Sequence, residues 1–275
     1  MNILTCSGLD SNKDFRRTYG VQIVPLKITL EHEEFVDDEQ FDAIQFLDKM
    51  SAASEAPKTS CPSPQDFIAR FSKDVANFVV TLSSQLSGTY NSALMAKEMF
   101  EEENEGAVVH VIDSMSAGAG GVPIIMKINE LREKGFSDSE IAREIKHFVD
   151  NMKTMFVIDS LENLAKAGRM HTVVEKIATM LDIKPVMQGV NGQIKMLKKV
   201  RGYKRAMKAL VEEIGNSGVD FENRILSISH CNNLEKAQLI KDEIKSSYNF
   251  KDIIINQTLG IATVYTGGGG IIVSF

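Results

Sequence analysis

Short uninterrupted apolar runs alternate with amphipathic segments through the first half of the chain, and this rhythm restricts the fold more than any other feature. Residues 78–82 (FVVTL) and 107–112 (AVVHVI) are continuous and β-branched, as strands buried on both faces require. Residues 2–6 (NILTC) read as a further strand. Residues 22–30 (QIVPLKITL) are extended, with Pro25 suggesting an edge position. Between these runs lie helical patterns. Asp38 to Met50 places Phe41, Ile44 and Leu47 on one face. Ser63 is a natural N-cap with Pro64 at the first helical position, followed by Phe67, Ile68 and Phe71. Residues 88–100 form another helix, and Ser137 to Glu140 is a capping box opening a helix through Val149. Strands that alternate with helices predict a mainly parallel, Rossmann-like sheet covered on both faces.

The second half changes rhythm. Residues 154–158 (TMFVI) read as a strand, followed by helical segments from Leu161 and from Thr172. Residues 183–188 and 193–200 flank Val190-Asn191-Gly192, and Asn-Gly between two such runs signals a hairpin. A helix at 203–214, strands at 224–230 and 253–256, a helix at 233–246 and a last strand at 270–275 complete the pattern. A hairpin followed by βαβ predicts a mixed or antiparallel second sheet. With 275 residues and a prior of about 150 per domain, two domains are expected, 1–153 and 154–275.

Composition narrows the class. Apolar residues are 43% and charged residues 25%, which excludes disordered and fibrous chains. Cys6, Cys61 and Cys231 are far apart and odd in number, as reduced thiols of a cytoplasmic protein would be. No run approaches the roughly 18 apolar residues of a membrane span, and the N-terminus lacks a signal-peptide pattern, so stable membrane insertion is not expected. A net charge of -6 argues against nucleic-acid binding.

Three segments dense in hydroxyls and small residues lie near helix starts: Thr59 to Pro64, Leu82 to Tyr90, and Asp113 to Gly121. Two of them directly follow strands, where ligands of open α/β sheets bind. Free N–H groups and hydroxyls there suit a carboxylate or phosphate. Taken singly, such segments are ordinary loop and cap chemistry. They hold no His, and Asp113 is their one carboxylate. The five histidines have no metal-ligand spacing, and nucleophile-elbow and P-loop motifs are absent. Such a crevice is equipped to hold an anion more than to transform it. An enzyme acting on a small phosphorylated or carboxylated metabolite is the alternative, and it needs a base that these segments do not offer.

Three more features stand out. Gly168 is a natural C-cap, after which Arg169 could reach a carboxylate or a partner. Residues 195–208 carry Lys195, Lys198, Lys199, Arg201, Lys204, Arg205 and Lys208 and no acid, which is either a solvated face or a docking surface for an acidic protein. Tyr265 to Gly270 reads as a flexible glycine-rich turn before the last strand.

The blocks TSCPSPQDF (59–67), LSSQLSGTYNSA (82–93), IDSMSAGAGG (112–121), LENLAKAGR (161–169), IKPV (183–186) and KVRGYKRA (199–206), taken together, resemble the DegV family. The likeness is collinear over essentially the whole chain, and LSGTY is its most specific part. It implies a two-domain α/β protein, not itself an enzyme, that needs no cofactor. Its bound ligand would be a single long-chain fatty acid such as palmitate, stearate or oleate. The carboxylate would lie at the domain interface with the acyl chain buried, and a separate fatty acid kinase would be the partner. Carried onto this sequence, Thr59, Ser60, Ser87, Gly88, Thr89, Tyr265, Thr266 and Gly267 would surround the carboxylate. Ser114, Ser116 and Arg169 are further candidate contacts, and Arg201 and Lys204 would face the kinase. The chain departs from the family pattern in several places. Thr5-Cys6-Ser7 stands for T-D-S, Cys61 replaces Gln in T-S-Q-P, and Ala167-Gly168-Arg169 stands for G-G-R. Tyr265 occupies the place of a His, so it can donate a hydrogen bond but carries no positive charge near neutral pH. The 13 methionines and 14 phenylalanines could line an acyl tunnel or simply fill the core.

Overall fold

The computed structural model describes residues 1–170 and 182–275. The N-terminal half runs β1 (Asn2–Cys6), α1 (Lys13–Tyr19), β2 (Val21–Val24), β3 (Lys27–Leu30), β4 (Glu33–Val36), α2 (Ala43–Ala52), β5 (Lys58–Ser60), α3 (Pro64–Ile68), β6 (Asn77–Thr81), α4 (Thr89–Glu103), β7 (Val109–Asp113), α5 (Gly121–Glu133) and α6 (Asp138–Asn151). The C-terminal half runs β8 (Thr154–Val157), α7 (Glu162–Lys166), β9 (Val186–Val190), β10 (Gln193–Lys198), α8 (Tyr203–Gly215), β11 (Ile225–His230), α9 (Leu234–Ser247), β12 (Asp252–Gln257), α10 (Gly260–Thr266) and β13 (Ile271–Ser274). The helix expected from Thr172 lies outside the described residues.

The expected α/β architecture is present. A parallel sheet has the order β2-β1-β6-β7, and a mixed sheet has the order β10-β9-β8-β13-β11-β12. In the mixed sheet only the β11–β12 pair is parallel among the described pairs. The capping boxes at Ser63 and Ser137 form as read, each hydroxyl accepting the N–H three residues on. Each acid, Asp66 and Glu140, answers the cap backbone. Asn191 and Gly192 make the hairpin turn with φ of 51° and 76°, the double left-handed geometry of a type I′ turn.

Four readings change. The 22–30 run is two strands, because Pro25 ends β2 at the edge of the parallel sheet and β3 begins a separate sheet ordered β4-β3-β5. The helix expected from Asp38 starts at Ala43, where the Asp42 carboxylate accepts the N–H groups of Ile44 and Gln45. β7 is an edge strand, so His110 and Val111 are only half-buried. Tyr265 and Thr266 are not in a flexible turn. They end α10, and the glycine turn begins at Gly267.

Burial explains how the halves join. Phe78, Val80, Ile124, Ile125 and Ile128 centre one core, and Ile261 and Val264 of α10 pack into that same core from the far end of the chain. Leu210, Ile214, Leu226, Ile228 and Phe275 centre a second core. A third cluster, with Ala119, Phe156, Ile158, Leu164, Met187 and Ile272, lies where the halves meet and is flanked by Tyr265.

Candidate functional site

The strand-end loops after β1, β6 and β7 face the mixed sheet and α10 across a cavity that opens to solvent. Both halves line it. Leu26, Leu82 and Leu86 come from the first, and Phe156, Ile158, Leu164, Ile194 and Ile272 from the second. Such walls hold an apolar ligand by removing its surface from water, at about 0.8 kcal/mol per buried CH₂.

The polar groups of the lining are few. Thr59, on β5, points its hydroxyl at Tyr265 Oη of α10, 2.8 Å away. Ser87 lies 2.9 Å from the Thr89 hydroxyl and accepts the Thr89 N–H. The segment that follows Thr59 packs against the start of α4 beside Ser87. Cys61 Sγ abuts Gly88, and Ser92 donates its hydroxyl to the Pro62 carbonyl. Arg169 Nε donates to the Leu86 carbonyl at 3.2 Å and Nη1 to the Ala167 carbonyl, which ties the guanidinium to the loop that carries Ser87. Among the described residues Arg169 is the one charged side chain of the lining. A second polar spot is Ser116 Oγ, 2.7 Å from Thr154 Oγ1, which in turn reaches Ser274.

The structure brings together Thr59, Ser87, Ser116, Arg169, Tyr265 and Thr266 on the cavity. The Thr266 hydroxyl is spent on the Ala262 carbonyl within α10. Gly88 and Thr89 stand behind Ser87 as the start of α4, with Thr89 fully buried. Ser114 is also fully buried. It accepts the Ser116 N–H and so shapes the loop without lining the cavity. Gly267, with φ of 61°, ends α10. Ser60 is exposed on β5 and does not line the cavity. Arg201 and Lys204 are exposed and apart from it. In the basic stretch Lys198 is taken up by Glu213 at 2.9 Å and Glu212 at 3.6 Å, so that cation is not free.

Sequence reading missed several contributors. The hairpin tip closes over the first-half loops. Ser83 Oγ donates to the Gly192 carbonyl at 2.8 Å, and Gln193 reaches Gln85 at 3.3 Å. The Asn-Gly signal located this turn but could not say where it docks. Met115 lines the cavity with φ of 49°. Asp10 and Asp37 are buried carboxylates beneath α10. Cys6 is an inert thiol, pushed by burial up to about 12.

Fold and site define a class: an α/β protein whose two halves share a mostly apolar cavity finished by hydroxyls and one guanidinium. A family model for uncharacterised proteins of the DegV family matches residues 1–275, and the chain belongs to that family. A DegV domain-containing protein of Streptococcus gordonii is 34% identical, covering 99% of this chain and 98% of its own. A DegV family protein of Ruminococcus gnavus, solved with vaccenic acid, has a TM-score of 0.95 at 32% identity and covers 100% of this chain and 99% of its own. The Streptococcus pneumoniae fatty acid kinase (Fak) B3 protein loaded with linoleic acid has a TM-score of 0.90 at 30% identity, covering 100% and 99%. A DegV family protein of Eubacterium eligens loaded with heptadecanoic acid has a TM-score of 0.90 at 31% identity, covering 100% and 98%.

Proposed function

We propose that this protein binds one long-chain fatty acid, with its acyl chain in the apolar cavity and its carboxylate at Thr59, Ser87, Tyr265 and Arg169. The two halves, 1–153 and 154–275, act as two domains gripping the ligand between them. The observation that carries the reading is the composition of the cavity wall. Apolar residues supply most of it, nine of them Leu, Ile or Phe, and the polar lining is neutral hydroxyls, the Gln193 amide and one cation. A fatty acid is the ligand with that distribution of character: a long apolar body and a single anionic end. Relatives solved with vaccenic, heptadecanoic and linoleic acid support it.

The protein acts as a carrier rather than an enzyme. Proton transfer or hydroxyl activation calls for a base within hydrogen-bond reach of the reacting atom. The described lining offers the Arg169 guanidinium, the Gln193 amide and hydroxyls already engaged in hydrogen bonds, and no carboxylate or imidazole. A fatty acid kinase is the partner to which the carboxyl end would be shown, a reading supported by the pneumococcal relative's name and by exposed Arg201 and Lys204. No helix among the described residues is long and apolar enough to cross a membrane.

Organic extraction of the purified protein followed by mass spectrometry tests the lipid reading directly. One fatty acid per chain is expected. A chain that carries none and also refuses added oleate and palmitate would overturn it.

A further inference from the structure

Helix α10 carries Tyr265, yet nothing in its own flanking sequence caps it: Leu259, the residue before it, makes no side-chain cap bond. Its first N–H groups go elsewhere. Gly260 and Ile261 donate to the two oxygens of Asp37 at 2.6 and 2.9 Å, and Leu259 donates to Asp10 Oδ1 at 2.8 Å. Both carboxylates belong to the other end of the chain, and both have 0% exposure. Asp10 also gives its own N–H to the Gly118 carbonyl at 2.8 Å, so it joins the loop after β7 to α10. Gly118 and Ile261 both line the cavity. Asp10 Oδ2 has no hydrogen-bond partner among the described residues.

We infer that Asp10 and Asp37 are positioning residues: by holding the start of α10 against the N-terminal half they set the Tyr265 hydroxyl against Thr59, and this docking governs how long a bound lipid stays. The inference rests on the fatty-acid reading above. A docked α10 keeps Tyr265 one helical turn from its anchored N–H groups, at the 2.8 Å seen to Thr59.

Docking by buried carboxylates has a pH consequence. Asp37 faces Asp10, its neighbour Asp38 and the Cys6 thiol, while Asp10 faces Asp37 and the Ser229 hydroxyl. The nearby cation Arg16 is committed to the Ser11 carbonyl and to Glu39, and neither buried acid has an ion-pair partner among the described residues. Burial outweighs the capping N–H groups, raising Asp10 to about 7 and Asp37 to about 6. The docked arrangement therefore binds protons more readily than an undocked one with hydrated carboxylates. Proton uptake at Asp10, whose Oδ2 is unpartnered while Oδ1 goes on accepting from Leu259, favours docking, so lipid release slows as pH falls from about 8 to about 6.

The test uses the full chain loaded with oleate, following transfer to phosphatidylcholine vesicles. Each variant is compared with the wild type at the same pH, which cancels the titration of oleate itself. Asp37→Asn loses a cap acceptor and should speed release about tenfold, the change expected for about 1.4 kcal/mol. Gly260→Ala should match it, because a Cβ there would lie 2.7 Å from Asp37 Oδ1 and displace the carboxylate without removing it. Placed on Tyr265→Phe, either change should add less than about twofold, since the docked hydroxyl is already gone. Asp10→Asn keeps the Oδ1 acceptor and mimics the protonated acid. It should slow release at about pH 8 to the wild-type rate at about pH 6 and flatten the profile. Multiplicative effects of Asp37→Asn and Tyr265→Phe, or an Asp10→Asn profile parallel to the wild type, would overturn the proposal while leaving lipid binding intact. A wild type that never retains oleate would instead overturn the fatty-acid reading, and this inference with it.

Discussion

The hydroxyls of Thr59 and Tyr265 lie 2.8 Å apart although 206 residues separate them. One sits on a short strand at the edge of the β4-β3-β5 sheet and the other at the end of a helix docked from the opposite terminus. Each has further donor or acceptor capacity that a carboxylate could use.

Removing these hydroxyls should therefore weaken lipid binding rather than folding. Thr59→Val, Ser87→Ala and Tyr265→Phe are each expected to raise the Kd for oleate roughly 10- to 100-fold, from about 1.5–3 kcal/mol per hydrogen bond to a charged group. Titration of delipidated protein measures this. An affinity unchanged in the triple variant would remove the three from the site.

The hairpin clasp should be sensitive to a single methyl group. A Cβ on Gly192 would lie 2.4 Å from Ser83 Oγ and 3.0 Å from Met115 Sδ, at a φ of 76° that disfavours any side chain. Gly192→Ala should destabilise the protein by about 1–2 kcal/mol or more and speed lipid loss, with the left-handed backbone supplying much of the cost. Ser83→Ala should cost about 1 kcal/mol, the loss of one hydrogen bond. Thermal unfolding and oleate release check both, and equal melting temperatures for Gly192→Ala and wild type would mean that the tip does not dock.

Stability should depend on pH through the two buried acids. Their folded values, about 7 for Asp10 and about 6 for Asp37, lie above the ordinary 3.8. The native state thus holds protons that the unfolded chain releases. Their contribution is fully present below pH 3.8 and is lost as pH rises, through about 6 for Asp37 and about 7 for Asp10. Within that window each group changes stability by about 1.4 kcal/mol per pH unit. Asp10→Asn should give a flatter curve of unfolding free energy against pH between about 5 and 8 in denaturant titrations. A slope identical to wild type would show that Asp10 does not titrate there.

Charge reversal at Arg201 and Lys204 separates holding from delivery. Arg201→Glu with Lys204→Glu should leave oleate affinity unchanged, since both side chains are exposed and off the cavity. The same variant should lose acyl-phosphate formation when mixed with a fatty acid kinase, and rising salt should mimic it in the wild type. Full activity of the variant would place the docking face elsewhere.

Much of the fold was legible because its signals are local. Asn191-Gly192 fixes a left-handed turn pair wherever it is placed. Ser63-Pro64 and Ser137 with Glu140 start helices from side chains three residues away. The hydroxyl-rich segments after β6 and β7 were legible for a similar reason, since loops at strand ends need small, hydrogen-bonding residues. α10 was not legible. Ile261, Thr263 and Val264 are β-branched and suit a strand, and the acids that cap the helix lie 223 to 249 residues away.

By itself the sequence determined that this chain makes a parallel sheet and a mixed sheet, with hydroxyl-bearing loops at the strand ends, because period and capping are written within a few residues. Only the tertiary structure decided which apolar residues wall a cavity and which fill a core. Ile261 contributes to both, and its pattern in sequence is the same either way. It also decided that Tyr265 meets Thr59, because that contact exists only once Asp10 and Asp37 have docked the helix between them.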